Sequence, residues 1–191
     1  MNYMNYTYEG SIAQAFDIGY NGVYGQGMYK GKLIHKYFKF IKFGYFKFNF
    51  KIVSKKSRYL QAVVLMMSRI FTAEFYINGK KIAKPKGRFP KIELWENDVP
   101  QEFSVFVHLS EGEIYILNGN AVPVAQNIIY CRMMQGGCAI LIEKLEGERY
   151  LFNCNDVDID DDFDDLVFEF DFIEFSDPQE WLKMAKMKSK N

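Results

Sequence analysis

The chain has little of what would mark a secreted scaffold, a zinc protein, a membrane span or a nucleophile-based enzyme. Its 191 residues include three cysteines, too few for a disulfide framework, and no C-x-x-C pair or Cys/His cluster has zinc spacing. Its two histidines, His35 and His108, stand apart from any nucleophile or carboxylate at a recognisable motif spacing, and both read as structural. No apolar run approaches the roughly 18 residues of a membrane-spanning helix. The opening MNYMNYTYEG has neither the basic n-region nor the apolar h-region of a signal peptide. The expectation is a protein outside the membrane, in a reducing cytoplasm, with free thiols. Phosphate-binding loops are missing too. Gly25-x-Gly27 followed by Gly31 has no strand-then-helix context, and Gly87 to Lys91 does not form one.

What the chain has in quantity is aromatic residues. Phenylalanine (18) and tyrosine (13) dominate a sequence that is 49% hydrophobic, enough for one bulky core in a single domain spanning 1–191. Residues 1–31, with Tyr20, Tyr24 and Tyr29 set among five glycines, read as a loop-rich entry with a few short strands. Strands follow. Phe46, Phe48, Phe50 and Ile52 alternate with Lys47, Asn49 and Lys51, the period of two of a strand with one buried face. Further strands are predicted at 59–66, 70–77 with an Asn78-Gly79 hairpin returning through 80–83, 92–95, 102–109, 113–117 with a second turn at Asn118-Gly119, 128–134, 138–143 and 149–153. Leu166, Phe168, Phe170 and Phe172 close the series. Many short strands without interposed helices predict an all-β, antiparallel β-sandwich of jelly-roll or galactose-binding-like type. One helix is expected, at 177–189, opened by Asp177, Pro178 and Glu180, with Trp181, Leu182, Met184 and Ala185 as its apolar stripe. It should dock on its own sandwich.

Charge is balanced overall but not along the chain. Residues 1–91 carry 17 Lys and Arg against 3 Asp and Glu, whereas residues 92–191 carry 7 against 21. A basic half can be a nucleic-acid footprint, but these lysines alternate with aromatics instead of forming a block. The expectation is that the halves interleave in one sheet, with Lys47 and Lys51 near Glu169 and Asp171, and that neither nucleic acid nor membrane is a partner.

The densest feature is 156–165, where Asp156, Asp158, Asp160, Asp161, Asp162, Asp164 and Asp165 crowd together. Their repulsion has to be offset by cations, backbone N–H groups or open water. Three readings stay open: a solvated turn that guards a sheet edge, a Ca²⁺ site built from hard oxygen donors, and a surface for a basic partner. The string Asp160 to Phe168 resembles the D-x-D-[FY]-[ND]-D-[LV]-[VF]-F signature of certain bacterial β-sandwich domains of unassigned function, often found on surface proteins. That resemblance implies calcium, with Asp160, Asp162 and Asp165 as the carried-over ligands. More loosely, Glu74 to Ile82 followed by Phe103 to Val107 is similar to the xVxxNGKxV … LxVxV pattern of galactose-binding-like sandwiches attached to glycoside hydrolases and lectins.

The expected function is therefore a non-catalytic, carbohydrate-binding module with calcium as a structural ion. Tyr20, Tyr24, Tyr29 and Trp95 are the candidate ligand contacts, with Asn21 and Gln26 supplying hydrogen bonds. The alternative is a structural sandwich that contacts other proteins. No pair of carboxylates stands out as an acid and a nucleophile, so no enzyme is expected. Finally, if Leu145-Glu146-Gly147 forms a three-residue hairpin loop, Cys138 faces Cys154 and Cys131 has no such partner.

Overall fold

The computed structural model describes residues 11–18, 25–88, 90–124, 128–132, 138–156 and 162–188. In chain order the elements are α1 (Ile12–Ile18), β1 (Gln26–Tyr29), β2 (Lys32–His35), β3 (Phe38–Phe40), β4 (Gly44–Lys55), β5 (Leu60–Met67), β6 (Thr72–Ile77), β7 (Lys80–Ile82), β8 (Lys91–Trp95), β9 (Glu102–Glu111), β10 (Ile114–Val124), β11 (Ile128–Arg132), β12 (Ala139–Lys144), β13 (Tyr150–Asn155), β14 (Leu166–Phe175) and α2 (Pro178–Ala185). They form an all-β sandwich of two antiparallel sheets. The larger has the order β1-β2-β12-β13-β14-β4-β9-β6-β7; the smaller runs β11-β10-β5-β8, with β3 also on β10. From β4 to β10 the chain changes sheet at every step except the β6–β7 hairpin. Among the described residues no helix is long and apolar enough to cross a membrane.

The core follows from the alternation in β4 and β14. Phe46, Phe48, Phe50, Phe168 and Phe170 are all buried on the inner face of the larger sheet, with Val105, Val107 and Leu109 from β9. Opposite them stand Val63, Leu65 and Met67 of β5 and Ile114 and Ile116 of β10. Phe40 wedges between the sheets, edge-on to Phe46, Phe48 and Phe172 at 5.0, 4.8 and 5.1 Å. Burying such a ring stabilises the fold by about 1.5–3 kcal/mol before any edge-to-face preference is counted.

The neighbours expected from charge are neighbours: β4 pairs β14, with Lys51 facing Glu169, Asn49 facing Asp171 and Lys47 facing Ile173. Alternation fixes the outward face of each lysine but not its register, and a bulge between Val167 and Phe168 sets that register. Lys47 therefore does not meet Asp171. Asp171 Oδ1 instead accepts from Asn49 Nδ2 at 2.7 Å, Asn49 Oδ1 accepts from Ser104 Oγ at 2.9 Å, and Lys51 lies 3.3 Å from Glu102.

Several local expectations are corrected. Asn78-Gly79 is the hairpin turn, with φ of 50° and 75°. Asn118-Gly119, by contrast, lies inside β10, where pairing with β5 from Ile114 to Ala121 overrides the local turn preference. The entry holds a helix, α1, capped reciprocally by Ser11 and Gln14: Gln14 N donates to Ser11 Oγ and Ser11 N donates to Gln14 Oε1. It lies so close to β1 that a Cβ on Gly27 would stand 2.7 Å from the Ala15 carbonyl oxygen. The turn after β12 is Glu146–Glu148, closed by Leu145 N donating to Arg149 O at 2.8 Å. Lys144 thus faces Tyr150, and Cys154 faces Ile140, not Cys138. Both thiols are buried, and neither is in a disulfide.

The terminal helix is shorter than expected. Asp177 caps it by accepting from Gln179 N at 2.8 Å, and the helix ends at Ala185. Trp181 and Ala185 are buried against Tyr76, Tyr45, Phe106 and Phe175, while Met184 faces outward. Trp181 Nε1 donates to the Phe46 carbonyl at 3.0 Å, tying the helix to β4.

Candidate functional site

The structure separates the residues singled out in the sequence. Tyr20, Asn21, Tyr24, Cys131 (its side chain) and Asp160 lie outside the described residues. Tyr29 is not a stacking platform: it is 2% exposed and packs with Ile12, Ala15, Ile34, Ala139 and Phe163 in a small core beneath α1. Trp95 is half-buried against the main core, and its carbonyl oxygen accepts from Asp98 and Val99 N–H. A large aromatic in a proline-bounded segment has gone into packing in both respects.

Asp162 and Asp165 do not converge as one ligand set. Asp162 is exposed and accepts from Asp164 N at 3.1 Å, whereas Asp165 is buried and accepts from Asp156 N at 2.7 Å. Lys56 Nζ closes on Asp164 Oδ2 at 2.5 Å, and this bond, with the charge of Asp164, raises the lysine's pKa. Among the described residues no three His, Cys, Asp or Glu side chains are placed to hold a metal.

A groove of 590 Å³ opens where the chain passes from the larger sheet to the smaller one between β2 and β3. Gln26 of β1, His35 of β2, Tyr37, Phe38 and Lys39 form one side, and Ile142, Lys144 and Tyr150 of the β12–β13 hairpin form the other. The groove exists because β2 pairs β12 through a single position, His35 with Ile140, before β3 departs to pair β10. Its aromatic walls are held from behind. Tyr37 meets Tyr115 edge-on at 4.9 Å, and Phe38 packs on Tyr150 at 4.8 Å.

The polar groups of the groove are fixed as well. Gln26 Nε2 stands 3.5 Å from His35 Nδ1, and burial lowers the pKa of His35, which leaves a neutral imidazole at pH 7 with one nitrogen to donate and one to accept. Tyr150 donates to Glu148 Oε2 at 2.9 Å, and burial, then that bond, raises its pKa. Lys39 is paired with Glu113 at 2.6 Å. Tyr115 also donates to Glu113, and burial first and that bond second push its pKa up to about 12. Lys144 stands 5.9 Å above the Tyr150 ring. Of the groove's residues, Gln26 alone carried a ligand expectation from sequence. The rest are spread over β2, β3, β12 and β13, and only the topology brings them together.

A second concavity, of 360 Å³, lies on the outer face of the larger sheet between Lys47, Asn49, Lys51, Glu102, Ser104, Glu169 and Asp171. Its side chains are largely committed to one another through the Ser104–Asn49–Asp171 chain and the Lys51–Glu102 pair. The first groove is the larger and carries three aromatic side chains, Tyr37, Phe38 and Tyr150, beside its polar groups, and is the better candidate. No family model, curated protein or solved structure matches this chain.

Proposed function

We propose that this protein is a non-catalytic binding module that takes a short saccharide in the groove between β1–β3 and the β12–β13 hairpin. The observation that supports this reading is the combination in one 590 Å³ concavity of Tyr37, Phe38 and Tyr150 with Gln26, His35, Lys39 and Lys144. A sugar ring has an apolar face of C–H groups and a rim of hydroxyls that both donate and accept. Aromatic side chains suit the face; an amide, a neutral imidazole and an ammonium suit the rim. The volume falls within the range of about 300–1,000 Å³ of small-molecule sites, and mounting on paired strands limits the ordering cost of binding.

The test is a glycan array probed with the full chain, followed by calorimetry on the best binder. Gln26→Ala and Lys144→Ala each remove a polar group from the rim without touching the main core. Each should weaken binding by about fivefold to tenfold, the loss of one hydrogen bond of ~1 kcal/mol. An array without binders, or a binder indifferent to both substitutions, overturns the reading.

A further inference from the structure

Along β13, away from the groove, the space between the sheets turns from aromatic to polar. The inner face of β5 reads Met67, Leu65, Val63, Gln61, and that of β10 opposite reads Ile114, Ile116, Asn118, Asn120. The larger sheet answers with Asn155, Asp156 and Asp165, and all six of these polar side chains are buried. They bridge the sheets. Gln61 Nε2 donates to Asp156 Oδ2 at 3.2 Å, Asn118 Nδ2 donates to the Asn155 carbonyl at 3.3 Å, and Ser57 Oγ donates to Asp156 Oδ2 at 2.5 Å. Asp165 Oδ2 accepts from Asp156 N and so holds that residue in place. Beside them the Cys154 thiol has its pKa raised, by burial first and then by Asp165 and Cys138.

The bonds within this cluster leave specific atoms over. Gln61 Oε1 and both amide atoms of Asn120 are buried without a hydrogen-bond partner, and both residues are 0% exposed. Asn120 faces Gln61 across the β5–β10 pair, and Gln61 Nε2 reaches Asp156, so both unpartnered amides belong to the neighbourhood of that carboxylate. A buried polar group without a partner is costly, and native interiors seldom leave such atoms unmet. Two of these three unpartnered atoms are amide oxygens, Gln61 Oε1 and Asn120 Oδ1. Amide oxygens beside a carboxylate are the donor type that suits a hard cation.

We infer that a Ca²⁺ ion sits between the sheets at this end, bound by the Asp156 carboxylate, Gln61 Oε1 and Asn120 Oδ1, with Asp165 as a positioning residue. The site takes the two buried members of the aspartate-rich segment, Asp156 and Asp165, and exposed Asp162 has no part in it. It is independent of the saccharide groove.

The test uses the full chain, stripped with chelator and titrated calorimetrically with CaCl₂, with melting followed in parallel. The unsubstituted protein should bind Ca²⁺ and melt at a higher temperature with it, since an ion that binds only the folded state stabilises it by mass action. Asn120→Asp adds a ligand charge. It should lower the melting temperature in chelator and bind Ca²⁺ about tenfold more tightly; Gln61→Glu serves the same purpose should the first variant fail to fold. Asp162→Asn should titrate like the unsubstituted protein. The inference is overturned if the unsubstituted protein gives neither heat nor a melting shift, if the added carboxylates destabilise equally with and without Ca²⁺, or if Asp162→Asn abolishes uptake.

Discussion

Where β3 and β5 leave the smaller sheet, the loops carry Ile41, Phe43 and Ile70, exposed to 60%, 59% and 71%; at the opposite end Gln61, Asn118, Asn120, Asn155, Asp156 and Asp165 are all buried. The first three share one end because β3 and β5 both run antiparallel to β10, with Phe40 and Met67 flanking Ile114. One end thus exposes apolar side chains and the other buries polar ones. The two departures from the usual partition are not equivalent. An apolar side chain in water forgoes the gain of burial and nothing more, whereas a polar group out of water must find a partner or destabilise the fold. The polar end is consequently the one where each side chain depends on its neighbours.

The contrast can be broken most directly by two substitutions measured side by side in chelator. Asp156→Ala strands the Gln61 amide and the Ser57 hydroxyl and should lower unfolding stability by ~3 kcal/mol. Phe43→Ser at the other end should stay within about 0.5 kcal/mol. Denaturant titration reads both, and comparable losses would mean that the apolar tips are buried in solution.

A middle-sized effect is expected at the helix that closes the larger sheet. Trp181→Phe keeps the ring among Tyr45, Tyr76 and Phe106 but leaves the buried Phe46 carbonyl without the Nε1 donor, at a cost of ~1–2 kcal/mol. A melt unchanged from that of the original chain would show that water takes the donor's place.

The smallest effect concerns the outer face. Lys51→Glu and Glu169→Lys, made singly and together, should show a coupling of ~0.2–1 kcal/mol that fades in high salt, since the two residues face each other across exposed strands. The same cycle with Lys47 and Asp171 should show none, because Lys47 faces Ile173.

The outer face also marks what the sequence could tell. Alternating Phe and Lys in 46–52 and alternating Phe and acids in 168–172 identified two strands, their buried faces and, through charge, their adjacency. They could not give register, because a bulge adds one residue without disturbing either pattern. The same dipeptide, Asn-Gly, is a turn at 78–79 and mid-strand at 118–119. The second is held straight by eight paired positions on β5, and no local signal reports a partner strand. The α1 cap was legible as Ser11-x-x-Gln14 ahead of Ile12, Ala15 and Phe16, though the surrounding Tyr and Gly residues favour a loop reading. The groove was hardly legible at all. Its walls come from segments that meet only after β2 and β3 part to different sheets.

The placing of β4 between β14 and β9 has a consequence for synthesis on the ribosome. Lys55 ends β4, and the strand that covers its other edge does not begin until Leu166. At ~5–20 residues per second, the chain waits on the order of ten seconds with its most aromatic segment only partly paired. Nascent strands of that kind are prone to stick to one another. In Gly44 to Ile52, however, the aromatics are interrupted by Lys47, Asn49 and Lys51, side chains that discourage such association. The outward lysines of β4 thus act before the fold exists as well as in it, by discouraging the emerging strand from joining its own kind until its acidic neighbour arrives.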